Sequence, residues 1–97
     1  MAITFRNNRN ANGQGVHAAF YHGDPGNGDL IGQVKGYQGF GQTGTVDLPT
    51  NQTYWVTVIC NNIGPDPAGT VLASKDGLKV PPNTMVVFTE AKTLEFY

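Results

Sequence analysis

The sequence contains few charged residues, a single cysteine and no long apolar run. Charged residues make up 13% of the 97 residues, about half of the roughly 25% found in a typical globular protein. The basic residues are scattered along the chain, so no basic stripe is available to neutralise a phosphate backbone, which argues against nucleic-acid binding. The longest apolar run, Tyr54–Cys60, is far too short to cross a bilayer. With one cysteine, Cys60, an internal disulfide framework is excluded.

Several catalytic arrangements are also missing. The only serine, Ser74, cannot supply a convincing Ser-His-Asp set, and Cys60 falls in an apolar run where a buried thiol behaves as a small hydrophobic residue. The acidic residues Asp47, Glu90 and Glu95 show no spacing that would place two carboxylates across a substrate. The sequence therefore predicts a protein that is not an enzyme and that uses no cofactor.

The chain opens MAITFRNN, without the apolar stretch of a secretion signal. This predicts a cytoplasmic or non-classically released protein. The net charge is −1, and such weak repulsion between copies is compatible with a homo-oligomer.

Uncharged polar residues and turn formers dominate what is present. Nine Asn, five Gln and ten Thr supply most of the polarity, and thirteen Gly and six Pro interrupt the chain. β-branched residues are plentiful, and no apolar period of 3.6 residues is long enough to indicate a helix. Seven to nine short strands at a spacing of about 8–12 residues predict a single all-β domain over residues 1–97, a small antiparallel β-sandwich, with a small barrel as the alternative.

The strands follow from alternation and turn residues. We expect Tyr54–Cys60 to be central, with Trp55 in the core, because it is apolar on both faces. Lys75–Gly77 predicts a tight turn between two strands, and residues 61–69 predict a loop. The other predicted strands are Ile3–Arg6, Val16–His22, Leu30–Lys35, Thr45–Leu48, Thr70–Ser74, Leu78–Val80, Met85–Glu90 and Thr93–Tyr97.

The segment Val16–Gly32, VHAAFYHGDPGNGDLIG, resembles the strand-turn-strand of cell-adhesion-related immunoglobulin-like domains in bacterial surface proteins. Thr45–Leu48, Tyr54–Cys60 and Asn61-Asn62 follow in a compatible order, and the match covers about a third of the chain. His22 stands where that family tends to have Asp, and its acidic segment before Asn-Asn is absent. The resemblance implies an immunoglobulin-like, seven-strand sandwich used as a spacer or binding module, with no catalytic residues.

The segment Gly36–Gly44, GYQGFGQTG, contains the G-x-G-x-x-G pattern of a dinucleotide-binding turn. Such a site needs a helix after the motif and an acidic residue about 20 positions further on. Here Thr-Val-Asp-Leu-Pro follows, which predicts a strand. We therefore interpret the segment as a flexible loop or a bulged edge strand rather than a phosphate site.

No metal site is predicted. His17 and His22 lie five residues apart, so on one strand their side chains point to opposite faces. The Asp24–Asp29 segment has glycines where a calcium loop places ligands, which predicts an ordinary turn.

The aromatic residues of the Gly-rich segment suggest a contact surface. Tyr37 and Phe40 lie between glycines, where exposed rings are suited to stacking on a sugar or a partner protein; the alternative is that both rings fold back and cap one end of the sandwich. Nearby amides can hydrogen-bond to hydroxyl groups. The predicted ligand-binding residues are Tyr37, Phe40, Gln38, Gln42, Asn27 and Asp29, with the Gln33 amide close by. The sequence favours lectin-like binding of a neutral carbohydrate, and the alternative is a structural or assembly module, such as a virion component, acting through subunit contacts.

Overall fold

The structure, a computed structural model, describes residues 1–62 and 65–97, with only the backbone of Asn62. It contains eight strands, and no helix is present among these residues. The strands are β1 (Ala2–Asn7), β2 (Gly15–His22), β3 (Asp29–Gln38), β4 (Thr43–Asp47), β5 (Gln52–Asn62), β6 (Val71–Val80), β7 (Met85–Phe88) and β8 (Leu94–Phe96). The all-β class and the number of strands are confirmed.

The strands form two four-stranded sheets. The first sheet has the order β4-β1-β7-β8 and the second the order β3-β2-β5-β6. All pairs are antiparallel except β1 and β7, which run parallel. Among the described residues no ladder joins one sheet to the other, so the fold is a sandwich rather than a closed barrel.

The core lies between the two sheets and follows the alternation of the central strands. Ala18 and Phe20 of β2 and Val56 and Val58 of β5 are fully buried, because alternate side chains of a strand point to the same face. The first sheet contributes Ile3, Phe5, Val86 and Phe88 to the same cluster. Residues between these positions, such as His17, therefore lie on the outer face of the second sheet.

The sheets approach closely where the edge strands β3 and β4 meet. A Cβ atom on Gly32 would lie 2.8 Å from Cγ2 of Val46 and 3.0 Å from Cδ2 of Leu48. Glycine is therefore needed at this point for its small size.

Strand β6 is continuous, so the predicted tight turn at Lys75–Gly77 is wrong. Tyr54 pairs with Leu78 and Val56 with Lys75, which leaves both Asp76 and Gly77 opposite Trp55. This is a β-bulge, and Gly77 has a φ of 93°. A bulge and a tight turn both require positive φ, and glycine satisfies either requirement.

The position of Trp55 is also a correction. Strand β5 is central as predicted, but Trp55 lies half-buried on the outer face of the second sheet and outside the core cluster. Its indole N–H donates to Ser74 Oγ at 2.6 Å. The neighbouring core position is filled by Tyr54, whose hydroxyl donates to the Pro49 carbonyl at 2.6 Å.

The loop before β2 is tied to the rest of the sandwich by a buried amide. Gln14 is 3% exposed; its Oε1 accepts from Arg9 Nη1 at 2.6 Å, and its Nε2 donates to Asp66 Oδ2 at 3.0 Å. This links residues 8–14 to the connection between β5 and β6. The loop predicted at 61–69 starts later than expected, because β5 continues to Asn62, and its residues 63 and 64 lie outside the described residues.

Candidate functional site

The Gly-rich segment Gly36–Gly44 ends one edge strand and begins another. Its first three residues belong to β3, residues 39–42 cross between the sheets, and β4 starts at Thr43. Because a strand follows the pattern, no helix N-terminus is available there to bind a pyrophosphate. The interpretation as a bulged edge strand is confirmed, and phosphate binding has no structural support.

The bulge lies opposite His17 on strand β2. Val16 pairs with Gln38 and Ala18 with Val34. The three residues from Lys35 to Tyr37 therefore lie opposite the single residue His17. The middle residue, Gly36, has a φ of 90°, which favours glycine. The extra residues push the edge strand outward and change the direction of their side chains.

An open depression forms beside this bulge on the outer face of the second sheet. Its volume is about 470 Å³. It is lined by His17, Gln33, Lys35, Gly36, Tyr37 and Asn61. The lining combines an aromatic ring, two amides, an imidazole and an ammonium group, and it includes no carboxylate.

The Tyr37 ring is held in place although the side chain is 46% exposed. One face of the ring covers Gly15, where a Cβ atom would lie 2.7 Å from Cγ of Tyr37 and still nearer to Cδ2 and Cε2. The Tyr37 hydroxyl donates to the Gly13 carbonyl. The ring is therefore fixed by a contact beneath it and a hydrogen bond at its tip, and Gly39 lies near its Cε1 atom. About half of the side chain remains exposed.

Asn61 and His17 form a chain of hydrogen bonds in the lining. The Asn61 Nδ2 group donates to the Gly36 carbonyl, so the Oδ1 atom faces Nδ1 of His17. Because the amide oxygen only accepts, Nδ1 of His17 carries a proton and Nε2 of the neutral ring is the acceptor. A ligand hydroxyl reaching this imidazole would donate to Nε2.

Two further polar groups in the lining are not used within the described part of the chain. Neither the Gln33 amide nor the Lys35 ammonium group has a hydrogen-bond or ion-pair partner there. Lys35 is exposed and Gln33 is half-buried, and both line the depression together with Tyr37. The arrangement can bind hydroxyl or carbonyl oxygen atoms; it offers no nucleophile with an adjacent base.

The predicted site residues do not all come together. Tyr37 lines the depression, whereas Phe40, 60% exposed, lies in the turn between the sheets. Gln42 uses its Oε1 to accept from the Gly39 N–H at 2.7 Å, and the Gln38 carbonyl accepts from Asn7 Nδ2 at 3.0 Å.

The remaining two predicted residues lie at the other end of strand β3. Asn27 belongs to the turn before β3, and Asp29 is its first residue. Eight residues separate Asp29 from Tyr37, which corresponds to about 25 Å at roughly 3.3 Å per residue. Asn27 and Asp29 therefore do not share the depression with Tyr37.

Sequence reasoning assigned no binding role to His17, Lys35 or Asn61. The alternation of β2 places His17 on the face opposite Ala18, and this was the only local indication available. Asn61 lies 44 residues from His17 in sequence, and only the pairing of β2 with β5 brings them together.

The structure shows neither a metal cluster nor a membrane helix in the residues it describes. Within 1–62 and 65–97, no three His, Cys, Asp or Glu side chains are grouped to hold a metal ion. No helix in this part of the chain is long and apolar enough to span a membrane. Comparison with protein-family models, curated proteins and solved structures finds no match.

Proposed function

We propose that this chain is a non-catalytic, lectin-like module that binds a neutral carbohydrate in the depression at the β3 bulge. The observation that carries the proposal is the Tyr37 ring, fixed on one side against Gly15 while the side chain stays 46% exposed at the depression. A ring held in this way binds the apolar face of a sugar without losing further side-chain entropy.

The groups around the ring suit hydroxyl recognition. The Gln33 amide and the second N–H of Asn61 can donate to sugar oxygen atoms, and Nε2 of His17 can accept from a hydroxyl. Since no carboxylate lines the depression, we expect binding that does not depend on calcium.

A glycan-array screen with calcium and with chelator tests this proposal. The expected result is binding to at least one neutral glycan, equal in both buffers, and weakened about tenfold by Tyr37→Ala, a change of about 1.4 kcal/mol. The matched control is Tyr97→Ala, which removes another exposed tyrosine, 59% exposed, beside β8 of the other sheet. Loss of binding in Phe40→Ala but not in Tyr37→Ala would place the site at the turn instead.

Assembly through subunit contacts is the second candidate function. It is favoured by two exposed aliphatic side chains, Leu30 (47%) and Val71 (57%), on the edge strands of the second sheet. Strand β8, at the edge of the first sheet, could also extend the sheet of a neighbouring copy. Analytical ultracentrifugation tests this function: a concentration-dependent oligomer that Val71→Glu dissociates supports it, and a monomer at high concentration contradicts it.

A further inference from the structure

The outer face of the second sheet carries a second aromatic group beyond the depression. Tyr21 of β2 pairs directly with Trp55 of β5, and both side chains are half-buried on this face. Their Cβ atoms are separated by about 5 Å, as in any directly opposed pair. Two neighbouring rings on a solvent-facing sheet surface form a platform on which an apolar ligand face can lie.

The Trp55 side chain is fixed as well. Its Nε1–H donates to Ser74 Oγ at 2.6 Å, and Ser74 Oγ lies 3.3 Å from Thr57 Oγ1. This hydrogen bond satisfies the polar edge of the indole from within the protein, so the exposed part of the ring is available only for apolar contact. The same reasoning applies to Tyr37, whose hydroxyl is already bonded to Gly13.

The depression, which includes His17 and Tyr37, and the Tyr21–Trp55 pair follow one another along the direction of strand β2. Tyr21 and His17 are four residues apart on β2, which corresponds to about 13 Å at roughly 3.3 Å per residue. Between them lie Ala19 and Thr57, which are only 2% and 4% exposed, so the neighbouring side chains form the surface of this stretch. A distance of about 13 Å is longer than one monosaccharide ring can span.

The charge on this face limits the chemistry of the ligand. The depression is lined by a single charged side chain, Lys35, and by no carboxylate; at the platform end, the exposed Asp76 of β6 lies opposite Trp55, so the two ends together carry one charge of each sign. A strongly charged partner would find little complementary charge here. A neutral polymer with repeated apolar ring faces and hydroxyl edges matches both the platform and the depression.

We infer that the ligand is a neutral oligosaccharide that extends from the depression along β2 and β5 to the Tyr21–Trp55 platform. The inference rests on the carbohydrate-binding function proposed above and adds the length and direction of the ligand. One sugar unit occupies the depression against Tyr37, and a later unit in the same chain stacks on Tyr21 and Trp55.

The single tryptophan makes the test direct. Malto-, cello-, xylo- and manno-oligosaccharides of one to six units are titrated into the intact chain, with the intrinsic fluorescence of Trp55 and calorimetry as readouts. In the series that binds, affinity is expected to rise with chain length, and Trp55 fluorescence is expected to change only with the longer members.

Tyr21→Ala keeps the fluorescent reporter and removes half of the platform. It is expected to weaken binding of the hexasaccharide about three- to tenfold and to leave the affinity for the shortest ligand that binds unchanged. Tyr37→Ala is expected to weaken both, and Tyr97→Ala neither.

Two results would overturn the inference. Affinity that is independent of chain length, with Trp55 fluorescence unchanged, confines the ligand to the depression and leaves the proposed function intact. Self-association lost in Tyr21→Ala, with no oligosaccharide bound, assigns the face to a second copy of the chain. Failure of every glycan on the array, by contrast, contradicts the proposed function itself.

Discussion

Replacing Gly15 by alanine tests whether the Tyr37 ring is held in place by the glycine beneath it. A Cβ atom at position 15 would lie 2.7 Å from Cγ of Tyr37 and closer to two other ring atoms, whereas ordinary van der Waals contact begins near 3.4 Å. The near atoms belong to the rigid ring rather than to a flexible end, so the whole ring has to move by about 1 Å or more. That movement separates the Tyr37 hydroxyl from the Gly13 carbonyl.

The magnitude follows from what the ring loses. Tyr37 is 46% exposed, so about half of its roughly 200 Å² is buried, which is worth about 2.5 kcal/mol at about 25 cal/mol per Å². The lost hydrogen bond adds about 1 kcal/mol. Alanine recovers about 0.4–1 kcal/mol, because it restricts the unfolded chain more than glycine does. Because the displaced ring keeps part of its packing contacts, the net loss is smaller than the full difference of these contributions. We expect Gly15→Ala to lower the free energy of unfolding by about 2 kcal/mol.

A double-mutant cycle with Tyr37→Ala isolates this mechanism. Once the ring is absent, Gly15→Ala has nothing to displace and should be neutral or stabilising by about 0.4–1 kcal/mol. Urea denaturation followed by Trp55 fluorescence gives all four stabilities. An equal destabilisation in both backgrounds would refute the reasoning, because the glycine would then be required for a reason other than Tyr37.

Three other substitutions test the fold. Tyr54→Phe should lower the free energy of unfolding by about 1 kcal/mol at neutral pH, because it removes the hydrogen bond to Pro49. Burial raises the pKa of Tyr54, so the stabilisation by this tyrosine is fully present below about pH 10 and is lost as the pH rises through the raised pKa. Urea denaturation at pH 7 and about pH 11 should therefore show the difference in unfolding free energy between the two proteins becoming smaller. Gly77→Ala should lower the free energy of unfolding by about 1–2 kcal/mol through backbone strain alone, since nothing lies within 4 Å of a Cβ there. Gly77→Asn should lower it less, and an equal decrease in melting temperature for both variants would count against the bulge. Gln14→Ala should lower the free energy of unfolding by about 1–3 kcal/mol, because it leaves Arg9 and Asp66 without their shared hydrogen-bond partner. As a control, Gln52→Ala at an exposed position should change the urea midpoint little. A similarly small effect of both substitutions would show that the Gln14 hydrogen bonds contribute little to stability.

The architecture was predictable because alternation and turn chemistry are local. Val16–His22 alternates clearly, and its observed partner β3 begins one residue from the predicted start. The position of Trp55 was not predictable in the same way. Tyr54–Cys60 is apolar at six of its seven positions, so its pattern does not identify which alternate set faces the core. The pairing register of β5 with β2 determines which set of side chains faces the core, and that register depends on contacts between residues distant in sequence.

The depression was only partly predictable for the same reason. Tyr37 was identified because glycines flank it, which is local information. His17, Lys35 and Asn61 come together through the β2–β5 pairing and through a bulge whose position on β3 is set by the partner strand. Asn27 and Asp29 were included because they are near in sequence, and the hairpin places them at the opposite end of the strand.

The glycines of GYQGFGQTG serve close approach and bulging rather than anion binding. Gly36 supplies the positive φ that lets three residues lie opposite His17, and Gly44 lies where a Cβ would clash with Val34 of the facing sheet. Both requirements arise because the chain passes here from β3, at the edge of one sheet, to β4, at the edge of the other. The same bulge turns Tyr37 back over Gly15 and opens the concave surface beside it. The pattern that resembles a phosphate-binding turn is thus a consequence of strand geometry, and that geometry also creates the candidate site.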